Sequence, residues 1–219
     1  MKLKSYLFSF LFFFISFSSF AQNWQMIWSE EFNYTGLPDS TKWTNEVGLI
    51  RNNELQYYTK NRIENNWVSN GQLKIIGRKE AYKGSAYTSA SITTDQQFTC
   101  TYGKIEANIK VPIGQGLWPA FWMLGQNIWQ IGWPKCGEID IMEHINTTNV
   151  NHGTMHWDNN GHTSFGGTTV CDFNQFHLFG IEWDNSMIRW YVDGVKYKEG
   201  YIYNNINSTE EFHKPFYPF

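Results

Sequence analysis

From Gln72 onward the chain keeps returning to one pattern, short runs in which apolar or β-branched residues alternate with polar ones and then meet turn residues. The clearest are Gln72–Ile76, Gly103–Val111, Glu138–His144, His152–Trp157, Phe176–Trp183 and Met187–Val192. Successive side chains on a strand point to opposite faces, so each run offers one face to a core and the other to solvent or a ligand. No stretch beyond residue 21 keeps a helical apolar period for three turns. Asp193-Gly194, directly after Tyr191-Val192, carries the turn chemistry of a tight hairpin. These signals predict an all-β fold, an antiparallel β-sandwich or jelly roll of short strands joined by sequence-rich loops.

The amino terminus follows a different logic. Met-Lys-Leu-Lys precedes an apolar run from Tyr6 to Phe20, with small residues at Ser19 and Ala21, the layout of a secretory signal peptide over residues 1–21. The run is too short and too serine-rich for a good membrane span, and no later segment reaches spanning length. Residues 22–219 then form one domain, exported to the periplasm, the cell surface or the medium. Lys2 and Lys4 leave with the leader and no acid does, which takes the net charge from −3 to −5. An acidic chain without a basic stripe excludes nucleic acid as its main partner. Cys100, Cys136 and Cys171 lack metal-site spacing, so no zinc site is expected and at most one disulfide can form. Aromatic residues make up 18% of the chain, 11 of them tryptophan; such rings either fill a bulky core or stack on flat sugar faces.

The densest chemistry lies in Gly137-Glu-Ile-Asp-Ile-Met-Glu-His144. On a regular strand Glu138 and Asp140 share a face, Ile139 and Ile141 take the other, and Glu143 turns away. A single-residue β-bulge near Ile141-Met142 returns Glu143 to the face of the other two acids. Three carboxylates crowded together cannot all ionise easily, which lets one remain a proton donor while another stays a nucleophile. Glycoside hydrolysis needs that division of labour, with a separation of roughly 5 Å in the retaining case. A solvated strand or a calcium site would also use acids, but neither explains three of them with no lysine between. His144 points away from Glu143 if the strand is regular there.

Several further motifs, in order, carry a family resemblance: Trp28-Ser-Glu-Glu-Phe32, Asn52-Asn-Glu-Leu-Gln-Tyr-Tyr58, Tyr87-Thr-Ser-Ala90, Tyr102–Ala107, Gly116–Leu124, Trp133–Glu143 and Trp190–Gly194. Over nearly all of the mature chain the sequence resembles glycoside hydrolase family 16, in its laminarinase-like branch with the bulged signature. The resemblance implies a concanavalin A-like jelly roll that cuts internal bonds of a β-1,3- or mixed β-1,3/1,4-glucan with retention. It makes Glu138 the nucleophile, Glu143 the general acid/base and Asp140 the residue that tunes the nucleophile. Trp118, Trp122 and Trp133 match positions lining the family's cleft, and Asn52, Glu54 and His156 match polar positions beside it. No cofactor is required. A structural calcium held partly by backbone oxygens near Glu31 and Gly71 is a feature the family often carries.

Two departures stand out. Ser91 occupies a position where many laminarinase-like sequences have arginine, and a hydroxyl cannot replace a planar multi-donor guanidinium, which leaves the linkage preference open. The match also stops at Phe219, where the resemblance expects about two more strands, so the sandwich is expected to be C-terminally incomplete and its activity impaired. Pro218 sits where a continuing strand is expected, although proline cannot donate to a ladder. The competing functions are a galactan hydrolase acting on agar or carrageenan and a non-catalytic carbohydrate-binding jelly roll; a monomer is expected in each case.

Overall fold

The computed structural model describes residues 24–219; the leader read from residues 1–21 lies outside the described residues. Seven short strands come first: β1 (Thr44–Asn45), β2 (Gln56–Tyr58), β3 (Asn66–Ser69), β4 (Gln72–Ile75), β5 (Arg78–Tyr82), β6 (Ser85–Ser89) and β7 (Ile92–Thr93). Nine follow that build the two main layers: β8 (Gly103–Ile109), β9 (Ala120–Gly125), β10 (Glu138–His144), β11 (Val150–Asp158), β12 (His162–Val170), β13 (His177–Trp183), β14 (Met187–Val192), β15 (Val195–Tyr201) and β16 (Phe216–Pro218). A short α-helix, α1 (Ile128–Ile131), links β9 to β10. Among the described residues no helix is long and apolar enough to cross a membrane.

One sheet has the order β12-β11-β10-β9-β16 and the other β15-β14-β13-β8, with every pairing in them antiparallel. Ile139, Ile141, Met155 and Trp157 from the first sheet meet Phe179, Ile181, Trp183, Ile188 and Trp190 from the second in one core. Trp183 and Trp190 are fully buried, and an aromatic ring of about 200 Å² removed from water contributes on the order of 5 kcal/mol before entropy is counted. The hairpin between β14 and β15 turns at Asp193 and Gly194, both in the left-handed region (φ 50° and 76°), as its sequence requires. All three cysteines are free thiols.

Pro218 does lie in a strand, and the geometry shows why it is tolerated. β16 is the last strand of its sheet, with β9 as its one ladder partner and only an isolated bridge from Phe216 to Cys100 on its other side. The amides of that strand alternate in direction: Phe219 N–H donates to Trp122 on the β9 side, whereas Phe216 N–H donates to Cys100 on the other. Pro218 shares the parity of Phe216, so its missing N–H points off the ladder. Phe216 and Tyr217 are buried, and Phe216 packs edge-on against Trp183 at 5.4 Å.

Candidate active site

On β11 the burial alternates without a break: Asn151, Gly153, Met155 and Trp157 face the core, while His152, Thr154, His156 and Asp158 face outward. Glu138 pairs with His156 and Asp140 with Thr154, which fixes the two acids on that outer face. The register then slips. Glu143 pairs with His152, so Ile141 and Met142 together oppose Gly153 alone, and both are buried in the core. This is the bulge that parity demanded, and it brings Glu143 back to the face of Glu138 and Asp140. His144 ends on the core side, fully buried against Phe173.

The opposite layer holds the bulge. Trp190 on β14 donates its indole N–H to the Asp140 carbonyl at 2.7 Å, a buried bond between the sheets. Gly153 makes room for it, because a methyl group there would come within 2.5 Å of Trp190 Cδ1 and against the Tyr197 hydroxyl.

Each outer acid is gripped by a different tryptophan. Trp133 donates to Glu138 Oε2 at 2.9 Å and Trp118 to Glu143 Oε1 at 2.8 Å, both rings being half exposed. Asp140 is buried beneath them. His156 Nε2 approaches its Oδ2 at 3.1 Å and Glu138 Oε1 at 4.0 Å, but Oδ2 has no aligned hydrogen-bond donor. Trp122, the β9 neighbour of Asp140, stacks on Phe219 at 4.0 Å and carries the Arg51 guanidinium 5.0 Å above its ring.

Burial pushes all three carboxyls upward, and neighbouring negative charge adds to it at Glu138 and Asp140. Glu138 rises to about 8, through burial first and the charge of Asp140 second. Asp140 is raised well above the usual carboxylate range by burial and then by Glu143, against a hydrogen bond with Glu138. Glu143 is raised by burial, against the Trp118 N–H and His156. Two protons on three carboxyls satisfy this arrangement. With Asp140 neutral the second cause of the Glu138 shift vanishes, Glu138 can ionise as an acceptor of the Trp133 N–H, and Glu143 keeps a proton to give.

The remaining sequence candidates sit further out. Asn52 is exposed in a left-handed turn (φ 56°), and Glu54 accepts from Gln56 and Tyr58 at 2.7 and 2.8 Å instead of reaching the acids. Their loop reaches the site through Arg51, which sequence reading passed over. Arg51 pairs with Glu46, and Glu46 also accepts from Ser91 at 2.6 Å, so a guanidinium stands beside Trp122 although position 91 carries none. His162 was passed over as well, and Trp190 entered only through its motif; pairing register and packing between the sheets connect them to the acids.

Donor atoms of Glu138, Asp140 and His156 lie within 4.8 Å of one another, a spacing that suits a shared proton or a cation. Near the calcium positions implied by resemblance, Glu30 Oε2 is buried without a hydrogen bond, but Lys42 Nζ 3.6 Å away already matches its charge. Lys42 thus already balances that buried carboxylate.

Residues 41–218 match the family described as glycosyl hydrolases family 16. A β-glucanase of Rhodothermus marinus is 44% identical over 187 residues, covering 81% of this chain and 65% of that protein. A glucan endo-1,3-beta-glucosidase of Cryptopygus antarcticus is 36% identical over 84% of this chain and 72% of its own length. The solved structure of the laminarinase from Rhodothermus marinus superposes with a TM-score of 0.83 at 39% identity, over 90% of this chain and 84% of that one. The chain thus spans just under two thirds of the first of these relatives.

Proposed function

The chain belongs to glycosyl hydrolases family 16, and from that premise we propose that it is a retaining endo-glucanase that cleaves internal bonds of a β-1,3- or mixed β-1,3/1,4-glucan. The observation that carries the proposal is the bulge that sets Glu138, Asp140 and Glu143 on one outer face, each outer acid held by an indole N–H. The relatives named as β-glucanase, endo-1,3-glucosidase and laminarinase support the substrate class.

In this mechanism the Glu138 carboxylate attacks the anomeric carbon while the C–O bond to the leaving sugar breaks and Glu143 gives that oxygen its proton. A glycosyl ester on Glu138 results. Water then attacks the same carbon, Glu143 takes the water's proton, and the Glu138 carboxylate is released, so two inversions give net retention. Asp140 acts as the neutral hydrogen-bond partner that keeps Glu138 available. Trp133 and Trp118 frame the scissile bond, and the platform offered by Trp122 is shared with Phe219 and Arg51. The leader-like residues 1–21 fit an exported enzyme that meets its polymer outside the cytoplasm.

Reducing-end release should be measured on laminarin, lichenan and agarose in parallel, for the wild type and Glu138→Gln. Turnover on the first two, abolished in a folded Glu138→Gln, is the expected outcome. Cleavage of agarose alone would move the chain to the galactan reading. Glucan binding without any hydrolysis would make it a carbohydrate-binding jelly roll.

A further inference from the structure

Beyond the three acids, the site contains a chain of rings. His156 Nδ1 and His162 Nε2 are 2.9 Å apart, and the two rings are nearly coplanar (21°) with centroids separated by 5.2 Å. That is an end-to-end hydrogen bond. The other nitrogen of His156 faces Asp140 Oδ2 at 3.1 Å and Glu138 Oε1 at 4.0 Å. The Trp133 ring that donates to Glu138 lies against His162, with centroids 4.6 Å apart. His162 therefore reaches the Glu138–Asp140 pair by two routes without touching either acid.

The hairpin holds His162 in place. It opens β12 opposite Asp158, one diagonal step from His156 on the same face. Asp158 accepts the Gly161 N–H at 3.0 Å, and Ser208 donates to Asn159 at 3.0 Å, so the turn is tied down from both sides.

We propose that His162 is a positioning residue that acts through His156, fixing the His156 tautomer so that its proton sits on Nε2, on the side of Asp140 and Glu138. A hydrogen bond between two imidazole nitrogens holds one proton. When His162 Nε2 supplies it, His156 Nδ1 is bare, and a neutral His156 must carry its hydrogen on Nε2, the nitrogen 3.1 Å from Asp140 Oδ2 and off the line of a direct hydrogen bond to it. Without His162 the ring can take the other tautomer and present a lone pair to the oxygens of Asp140 and Glu138. The groups facing the relay are Glu138, Asp140 and, across the hairpin, Asp158. The kinetic part of this inference rests on the hydrolase reading above; the tautomer part does not.

Three variants separate the roles. His162→Phe keeps a ring against Trp133 and removes the N–H, His162→Gln keeps an amide donor, and His156→Ala removes the group acted through. The ¹⁵N shifts of the His156 ring should show one Nε2-protonated tautomer in the wild type, a mixture in His162→Phe and restoration in His162→Gln. A single unchanged tautomer in His162→Phe overturns the proposal, whatever the activity. On laminarin, kcat/KM should fall roughly tenfold in His162→Phe, the size of one lost hydrogen bond, with the acid limb of its pH profile moved upward and most activity restored in His162→Gln. Equal losses in both His162 variants would mean that only the ring surface matters, and an undiminished His162→Phe effect in the His156→Ala background would mean that His156 is not the route; either result overturns it. A wild type that cleaves no glucan refutes the hydrolase reading alone, because the ring shifts still decide this one.

Discussion

Substituting Gly153 with alanine tests how the catalytic face is held. Gly153 opposes the bulge, and its missing side chain lets the Trp190 indole lie 2.7 Å from the Asp140 carbonyl. An alanine methyl would sit 2.5 Å from Trp190 Cδ1 and 2.9 Å from Nε1, and Trp190 is fully buried with nowhere to swing. Overpacking of this kind costs about 1–3 kcal/mol. Pulling the N–H off a buried carbonyl costs about 1–3 kcal/mol more. A loss near the lower middle of that range, about 3 kcal/mol, lowers the melting temperature of a chain this size by roughly 10 °C. Displacing the bulge also moves Glu143 relative to Glu138, and a shift of about 1 Å in a reacting group can cost roughly 100-fold in kcat. Thermal unfolding and laminarin kinetics on Gly153→Ala and Trp190→Phe measure both effects. The two variants should lose kcat with little change in KM, because the bulge sets reacting geometry more than sugar binding. A Gly153→Ala protein with a melting point within ~2 °C of wild type and unchanged kcat would refute the reasoning.

The shifted acids give further expectations. Burial and mutual charge make the folded Glu138–Asp140 pair hold a proton that the unfolded chain releases above the ordinary 4.5, so the pair makes stability fall as pH rises from there toward about 8. Glu138→Gln should therefore be more stable than wild type at pH 7, with a ceiling on the order of 3 kcal/mol, and the gain should vanish below about pH 4; an equal gain at both pH values would contradict the shift. Trp133→Phe removes a donor that favours ionised Glu138, so the acid limb of kcat/KM should move to higher pH. Trp118→Phe removes the corresponding donor from Glu143, and the alkaline limb should rise instead, as a pH profile on laminarin would show.

Legibility from sequence followed the strength of the local pattern. Glu138–His144 and Met187–Val192 read as strands because their alternation is apolar on one side, and the bulge followed from parity alone, since Glu143 had to rejoin Glu138. β12 was missed. His162-Thr-Ser-Phe-Gly-Gly-Thr-Thr-Val170 has almost no apolar face, and its glycines serve close approach instead: a Cβ at Gly166 would run into the Gly153 carbonyl, and one at Gly167 into Lys198. Missing β12 meant missing His162, whose place beside His156 depends on hairpin register. Arg51 was equally hidden, because nothing local ties a loop residue to Trp122. Glu54 was named for its place in a motif, while its carboxylate turns to Gln56 and Tyr58.

The proposed mechanism turns on the attack of Glu138 at the anomeric carbon. Its most direct test is to incubate the enzyme with a laminaribioside carrying fluorine at C2 and a good leaving group, then to map the labelled peptide by mass spectrometry. One fluoroglycosyl ester, on Glu138, is expected. A label on Glu143 or Asp140, or time-dependent turnover with inverted product and no ester, would contradict it.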